Sequence, residues 1–201
     1  IEDIKKADSA LSGVRGFHRY FRFPYLNEGQ TIEERDLVRQ ELRLLGYKAG
    51  YVTIDNFDFY IDRLLRSAKE NGDQVDLAPV RDIYVDMILG AAEHYDAIAC
   101  KWIGRSPRHV LLLHENDVAA LFLADLIDAF RAAGWEIITP IDAYGDPIAS
   151  VIPDTLYLGQ GQVAAIAAAA GADTAQLRHV GESIEFLASE FQKALMPSKD
   201  E

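Results

Sequence analysis

The sequence predicts an α/β fold: an incomplete β/α barrel over residues 1–147, followed by a helical extension over 148–201 packed on the same domain. Three observations carry this expectation. Short runs rich in aromatic and β-branched residues, at Tyr20–Phe23, Tyr51–Ile54, Val110–Leu113 and Trp135–Thr139, alternate with helical stretches, the pattern of parallel strands joined by crossover helices. Val110 to Leu113 is unbroken apolar sequence, as a strand buried on both faces reads. Only these four strands can be read, too few to protect the edges of a finished parallel sheet, so the barrel is expected to be partial.

Each element follows from its local sequence. Ile1, Ile4 and Leu11 recur at helical spacing, so the chain opens inside a helix that Ser12 and Gly13 close. An opening helix that begins on isoleucine reads as the interior of a longer protein. Pro24 stops the first strand because it has no N–H for a ladder. Thr31 and Glu34 form a capping box ahead of a helix carrying Leu37, Leu42 and Leu45 and ending at Gly46. A helix from Phe57 to Ala68 gives way to the turn cluster Asn71-Gly72-Asp73. Ile83, Met87, Ala91 and Ile98 share one face of a long helix between Val80 and Ile103. Asn116 or Asp117 caps the next, which bears Leu121, Leu126 and Phe130 and closes at Gly134. Beyond Pro140 a loop with Gly145, Pro147 and Pro153 leads to an alanine-rich helix (162–170) and a last amphipathic helix (182–195).

Composition excludes several classes. The 201 residues are 49% hydrophobic, enough for one sizeable core. A single cysteine, Cys100, leaves no disulfide framework or cysteine-built zinc site. A net charge of −12 opposes binding to phosphate backbones or anionic membrane surfaces, so no nucleic-acid partner is expected. No apolar run reaches the roughly 18–20 residues that cross a bilayer. A neutral glycan is compatible with this charge.

Function in open sheets and barrels gathers at the C-terminal ends of strands. Three of the four expected ends carry polar groups: Arg22-Phe23-Pro24-Tyr25, Asp55-Asn56-Phe57-Asp58-Phe59 and Leu112-Leu113-His114-Glu115. An arginine, two aspartates and a histidine on one rim suggest a shared site.

These three segments resemble, in order and spacing, the last three of the five motifs of the polysaccharide deacetylase homology domain, carbohydrate esterase family four. Arg22, Pro24 and Tyr25 match the third motif; Asp55 and Asp58 the fourth, with Phe59 where tryptophan is usual; Leu112 and His114 the fifth. The resemblance covers about residues 20–139 and implies a distorted barrel that removes N- or O-acetyl groups from amino-sugar polymers such as peptidoglycan or chitin. It implies that His114 is the general acid, that Asp58 hydrogen-bonds its imidazole, and that the Tyr25 N–H stabilises the oxyanion. Arg22 would orient the base, Leu112 would shape the acetyl pocket, and Pro24 and Phe59 would line the substrate groove. An acetylated glycan is the implied partner, and an extracytoplasmic location is favoured.

The family's first two motifs, Thr-Phe-Asp-Asp and His-x-x-x-His, supply the base and the ligands of a divalent metal such as zinc or cobalt. Neither occurs here, and no two of the five histidines are spaced i,i+3 or i,i+4. The chain therefore reads as the C-terminal part of a deacetylase whose metal is expected only in the complete protein. The missing N-terminal segment becomes a further expected partner, and no turnover is expected from this chain alone. A second reading, from another class, is a non-catalytic glycan-binding or scaffolding protein that has lost the metal site. No Gly-x-Ser-x-Gly elbow supports a different hydrolase, and Gly159-Gln160-Gly161 is too short for a dinucleotide fingerprint.

Blander roles are expected elsewhere. Asp55 reads as a helix cap, and His18, His94 and His179 as solvent-facing. His109 falls on the opposite rim, Cys100 reads as a small buried side chain, and Trp102 and Trp135 as packing.

Overall fold

Helix ends follow the local chemistry. Thr31 Oγ1 accepts from Glu34 N while the Glu34 carboxylate takes the Thr31 N–H, completing the capping box. Asp76 accepts from Ala78 N, Asn116 from Ala119 N and Ser183 from Phe186 N at three further starts. Gly72, at φ 82, closes another helix in the left-handed conformation that glycine tolerates.

The computed structural model describes residues 1–157 and 159–195. Its elements are α1 (Glu2–Leu11), β1 (Tyr20–Phe21), α2 (Ile32–Leu44), β2 (Lys48–Ala49), α3 (Asp58–Asn71), α4 (Leu77–Trp102) and α5 (Asp117–Ala132). Then come α6 (Pro140–Ala143), α7 (Gln162–Ala169) and α8 (Ile184–Phe191), with 3-10 turns at Pro24–Leu26, Pro147–Ser150, Thr174–Gln176, Val180–Glu182 and Gln192–Ala194. The ends of the expected 148–201 extension, residues 196–201, lie outside the described residues.

The expected β/α barrel is not formed. The described residues are mostly helical, and only β1 and β2 make a ladder, parallel, pairing Tyr20 with Lys48 and Phe21 with Ala49. Residues 51–54 and 110–113 form no ladder and meet at one parallel bridge, Ile54 to Leu111. Their other groups find irregular partners. Thr53 Oγ1 accepts from Val110 N, Gln162 N donates to Val52 O, and Asn56 Nδ2 donates to Leu112 O. Residues 135–139 form no strand: Trp135 N closes the end of α5 on Phe130 O, and its ring packs edge-on against His109 and Phe130.

The centre is helical instead. Val80, Tyr84, Ile88, Ala91, Ala92, Tyr95 and Ala99 bury a broad stripe of α4, which packs against α3, α5, α7 and α8. Ile148, Val163, Ala167, Leu187 and Phe191 belong to the same core, so the chain after residue 147 shares its interior with what precedes it. By contrast α1 buries no residue and is held by the Arg19–Asp8 and Lys5–Glu41 ion pairs.

Three side chains depart from expectation. Cys100 is exposed on α4. His94 and His179 are half-buried, with rings 5.7 Å apart, because α4 carries His94 beneath the turn that holds His179. Among the described residues, His94 Nε2 is buried with no hydrogen-bond partner.

Candidate functional site

Residues 50–56 are buried throughout, which is unusual for a segment with so little ladder. Gly50 makes this possible at one end, since a Cβ there would sit 3.2 Å from the Phe21 carbonyl. At the other end three polar residues organise the start of α3. Asp55 Oδ1 accepts from Asn56 N at 2.9 Å, and Asn56 Oδ1 accepts from Asp58 N at 2.9 Å. Asn56, not Asp55, therefore takes a free N–H of the α3 start, and the capping expected of Asp55 is not found.

Asp58 is 1% exposed, and its carboxylate is used completely by one short segment. Oδ1 accepts from His114 Nδ1 at 2.6 Å; Oδ2 accepts from His114 N at 2.9 Å and from Asn116 Nδ2 at 3.3 Å. A carboxylate on Nδ1 fixes the tautomer, so Nε2 is the nitrogen left to exchange a proton. The imidazole side chain is 46% exposed, and Phe59 meets its ring edge-on at 5.7 Å. Asn116 also caps α5, and Asp62 accepts from Asp117 N and Val118 N at 2.8 and 3.2 Å. Two buried acids of α3 thus lock the 114–118 segment in place. Beside His114 lies a groove of about 370 Å³, lined by Phe59, Arg63, Arg66 and Asn116 among others.

The other expected residues lie elsewhere. Arg22 Nε donates to Gly50 O at 2.8 Å and Nη2 to the Tyr144 hydroxyl at 3.2 Å, and the residue lines a separate cavity with Gly50, Tyr157 and Gln160. Tyr25 is 91% exposed at φ 55, followed by Leu26 at φ 51. Two successive non-glycine residues in the left-handed region are a strained turn. Pro24 opens that turn, and Leu26 O accepts from Gly159 N. Leu112 is half-buried, with N donating to Ile54 O. The structure thus gathers Asp58, Phe59 and His114, leaves Arg22 at a different cavity, and puts Pro24 and Tyr25 in an exposed turn beside it.

Sequence reasoning missed a buried acidic cluster behind this site. Asp55 is 6% exposed, and burial, with the negative charge of Glu182 next, pushes its carboxyl up to about 7 against the opposing Asn56 N–H, His114 and Arg178. Glu182, also 6% exposed, has Oε1 at 2.5 Å from the Tyr95 hydroxyl and accepts from Gln160 Nε2 at 2.8 Å. These residues come from α4, the 160 loop and the turn before α8, and no local spacing announces them. Asn116 was expected, with Asp117, only as a helix cap, and Asn56 was findable, because it sits where an Asx turn begins.

Among the described residues no three His, Cys, Asp or Glu side chains are grouped to hold a metal ion. Both Asp58 oxygens are committed to His114 and Asn116, so the residues present do not fit the divalent metal that the resemblance implies. Comparison with family models, with curated proteins and with solved structures yields no match.

Proposed function

We propose that this chain is the proton-donating part of a hydrolase that, like polysaccharide deacetylases, removes acetyl groups from a glycan. The observation that supports it is the 2.6 Å bond between His114 Nδ1 and the buried Asp58 carboxylate. In acyl hydrolysis the departing nitrogen or oxygen must gain a proton as its bond to the carbonyl carbon breaks. An imidazole that lines a groove and is held through Nδ1 by a buried carboxylate can give it from Nε2 when the ring is an imidazolium, whose charge the carboxylate balances. The residues that hold the ring are packed, so it is oriented before any ligand arrives. The chain alone is proposed to be inactive.

The test is acetate release from N-acetylated chito-oligosaccharides with added zinc or cobalt. It would compare this chain with one joined to an upstream segment carrying the first two motifs. Release only from the joined protein, lost in His114→Ala, is the expected result; no metal-dependent release from it overturns the proposal.

One observation favours a second reading, that of a non-catalytic glycan-binding or scaffolding protein. Arg22 and Tyr25 line no part of the His114 groove, so the expected oxyanion and base-orienting groups are away from the acid. Metal-independent binding of the same oligosaccharides, measured in EDTA, would distinguish it.

A further inference from the structure

In a chain with 32 acidic and 20 basic residues, the groove beside His114 carries two arginines from one helix. Phe59, Arg63, Arg66 and Glu70 follow one another at spacings of four, three and four along α3, so they form one stripe, and that stripe lines the groove beside His114. Among the described residues Arg63 makes no ion pair. Arg66 reaches only Asp62 Oδ2, at 4.0 Å, while Asp62 Oδ1 is occupied by the first N–H groups of α5. Asp62 and Glu70 line the same groove, but Asp62 holds the first N–H groups of α5, and among the described residues Glu70 makes no ion pair with either arginine. Guanidinium forks three residues apart on a helix can converge on one carboxylate, and Arg is suited to that two-point grip.

We infer that the groove beside His114 binds an acidic sugar, whose carboxylate sits between Arg63 and Arg66 while a neighbouring polar atom reaches His114 Nε2. This deepens the glycan reading above and rests on it for the sugar; the anion site itself rests on the arginines. Phe59, half-exposed and edge-on to the imidazole, offers an apolar flank for a ring.

The experiment follows the His114 ring and the Arg63 and Arg66 Nε resonances by NMR during titration with two disaccharides. One joins N-acetylglucosamine to glucuronate; the other is its neutral counterpart, N,N′-diacetylchitobiose. The acidic disaccharide should bind about tenfold more tightly, and R63Q/R66Q should remove that preference while leaving the backbone spectrum and the Asp58–His114 bond unchanged. Equal affinity for both sugars, or a preference that survives R63Q/R66Q, overturns the inference and leaves the deacetylase reading standing. Binding of neither sugar overturns it as well and removes the proposed partner. Inorganic phosphate that perturbs both arginines and displaces the acidic disaccharide would support the anion site, whereas acetate release tests the catalytic reading separately.

Discussion

The imidazole of His114 and the carboxylate of Asp58 meet at 2.6 Å across 56 residues of chain, and the same carboxylate takes the backbone N–H of His114 at 2.9 Å. One buried acid therefore fixes both the ring and the backbone that carries it. Replacing Asp58 by alanine would leave the part-buried His114 N–H and Asn116 Nδ2 without their acceptor and open a cavity where the carboxylate was 1% exposed. The expected cost is about 2–4 kcal/mol in urea unfolding. Asp58→Asn has a different consequence. Its amide can donate to Nδ1, moving the ring proton to Nε2, so long-range proton–nitrogen spectra should show the opposite tautomer with the fold intact. An unchanged tautomer would mean that Asp58 does not set it.

Asp55 predicts an unusual pH response. Its carboxyl stands at about 7 in the fold against an ordinary 3.8, because burial and Glu182 disfavour the charge. Between those values the native state holds a proton that the unfolded chain has released, so stability falls as pH rises from about 4 to 7 and levels off above. The full shift corresponds to about 4 kcal/mol, an upper bound. Asp55→Asn keeps the acceptor for Asn56 N and removes the titration. It should leave stability near pH 4.5 little changed and raise it by about 2–4 kcal/mol at pH 8. The difference between the two proteins is the quantity to follow, because His109 and His179, held low by burial, add an opposite slope below their ordinary 6.5. Identical slopes in wild type and variant would rule the effect out.

What could be read from the sequence was what neighbouring residues decide. The Thr31–Glu34 box, a cap at Asn116 or Asp117 and the presence of α3 and α4 are set within a turn or two, and the structure has them, with Asn116 as the cap; α3 runs three residues past its expected end and α4 starts three residues early. The barrel failed where pairing is decided at a distance. Tyr51–Ile54 and Val110–Leu113 have strand composition, but Gln162, the Thr53 hydroxyl and the Asn56 amide take groups that a sheet would have paired. Trp135–Thr139 has the same composition, but Trp135 N closes α5 and Thr139 caps α6, so the segment is a connection between helices. The Asp58–His114 pairing was anticipated from resemblance, whereas the Tyr95–Glu182 contact spans 87 residues and leaves no mark on either local sequence.

Asp146 gives a prediction of the opposite sign. Burial alone would raise its carboxyl, but Arg105, at 2.5 and 3.0 Å, with the N–H groups of Ile148 and Arg108, outweighs this and holds it at about 2. Stability from this acid is complete above an ordinary 3.8 and drains away as pH falls toward 2. Arg105 is 40% exposed and screened by water, so the contribution is about 1–2 kcal/mol. Asp146→Ala also strands two N–H groups and should cost about 3 kcal/mol near neutrality. A variant that melts within a degree of wild type would refute the pairing.

Gly161 tests the seating of the 160 loop on the buried 50–56 segment. Its φ of −72 suits any residue, so glycine is required there by space alone. A Cβ would lie 2.9 Å from Val52 O and 3.2 Å from Thr53 C, and Gln162 N donates to that same Val52 carbonyl at 2.7 Å. Backbone atoms cannot swing aside as a flexible side chain can, so Gly161→Ala should lower stability by about 1–3 kcal/mol. Gly13 supplies the control: it has no atom within 4 Å of an added Cβ, so alanine there should be neutral or slightly stabilising. Because Gln160 hydrogen-bonds Glu182, and Glu182 helps hold Asp55 uncharged, a loop displaced by the new methyl should also lower the Asp55 titration toward 3.8. Thermal melts of both alanine variants, with the Asp55 carboxyl followed by carbon NMR, check the two effects together. A Gly161→Ala protein with wild-type melting and an unmoved Asp55 would show that the loop does not press on the segment.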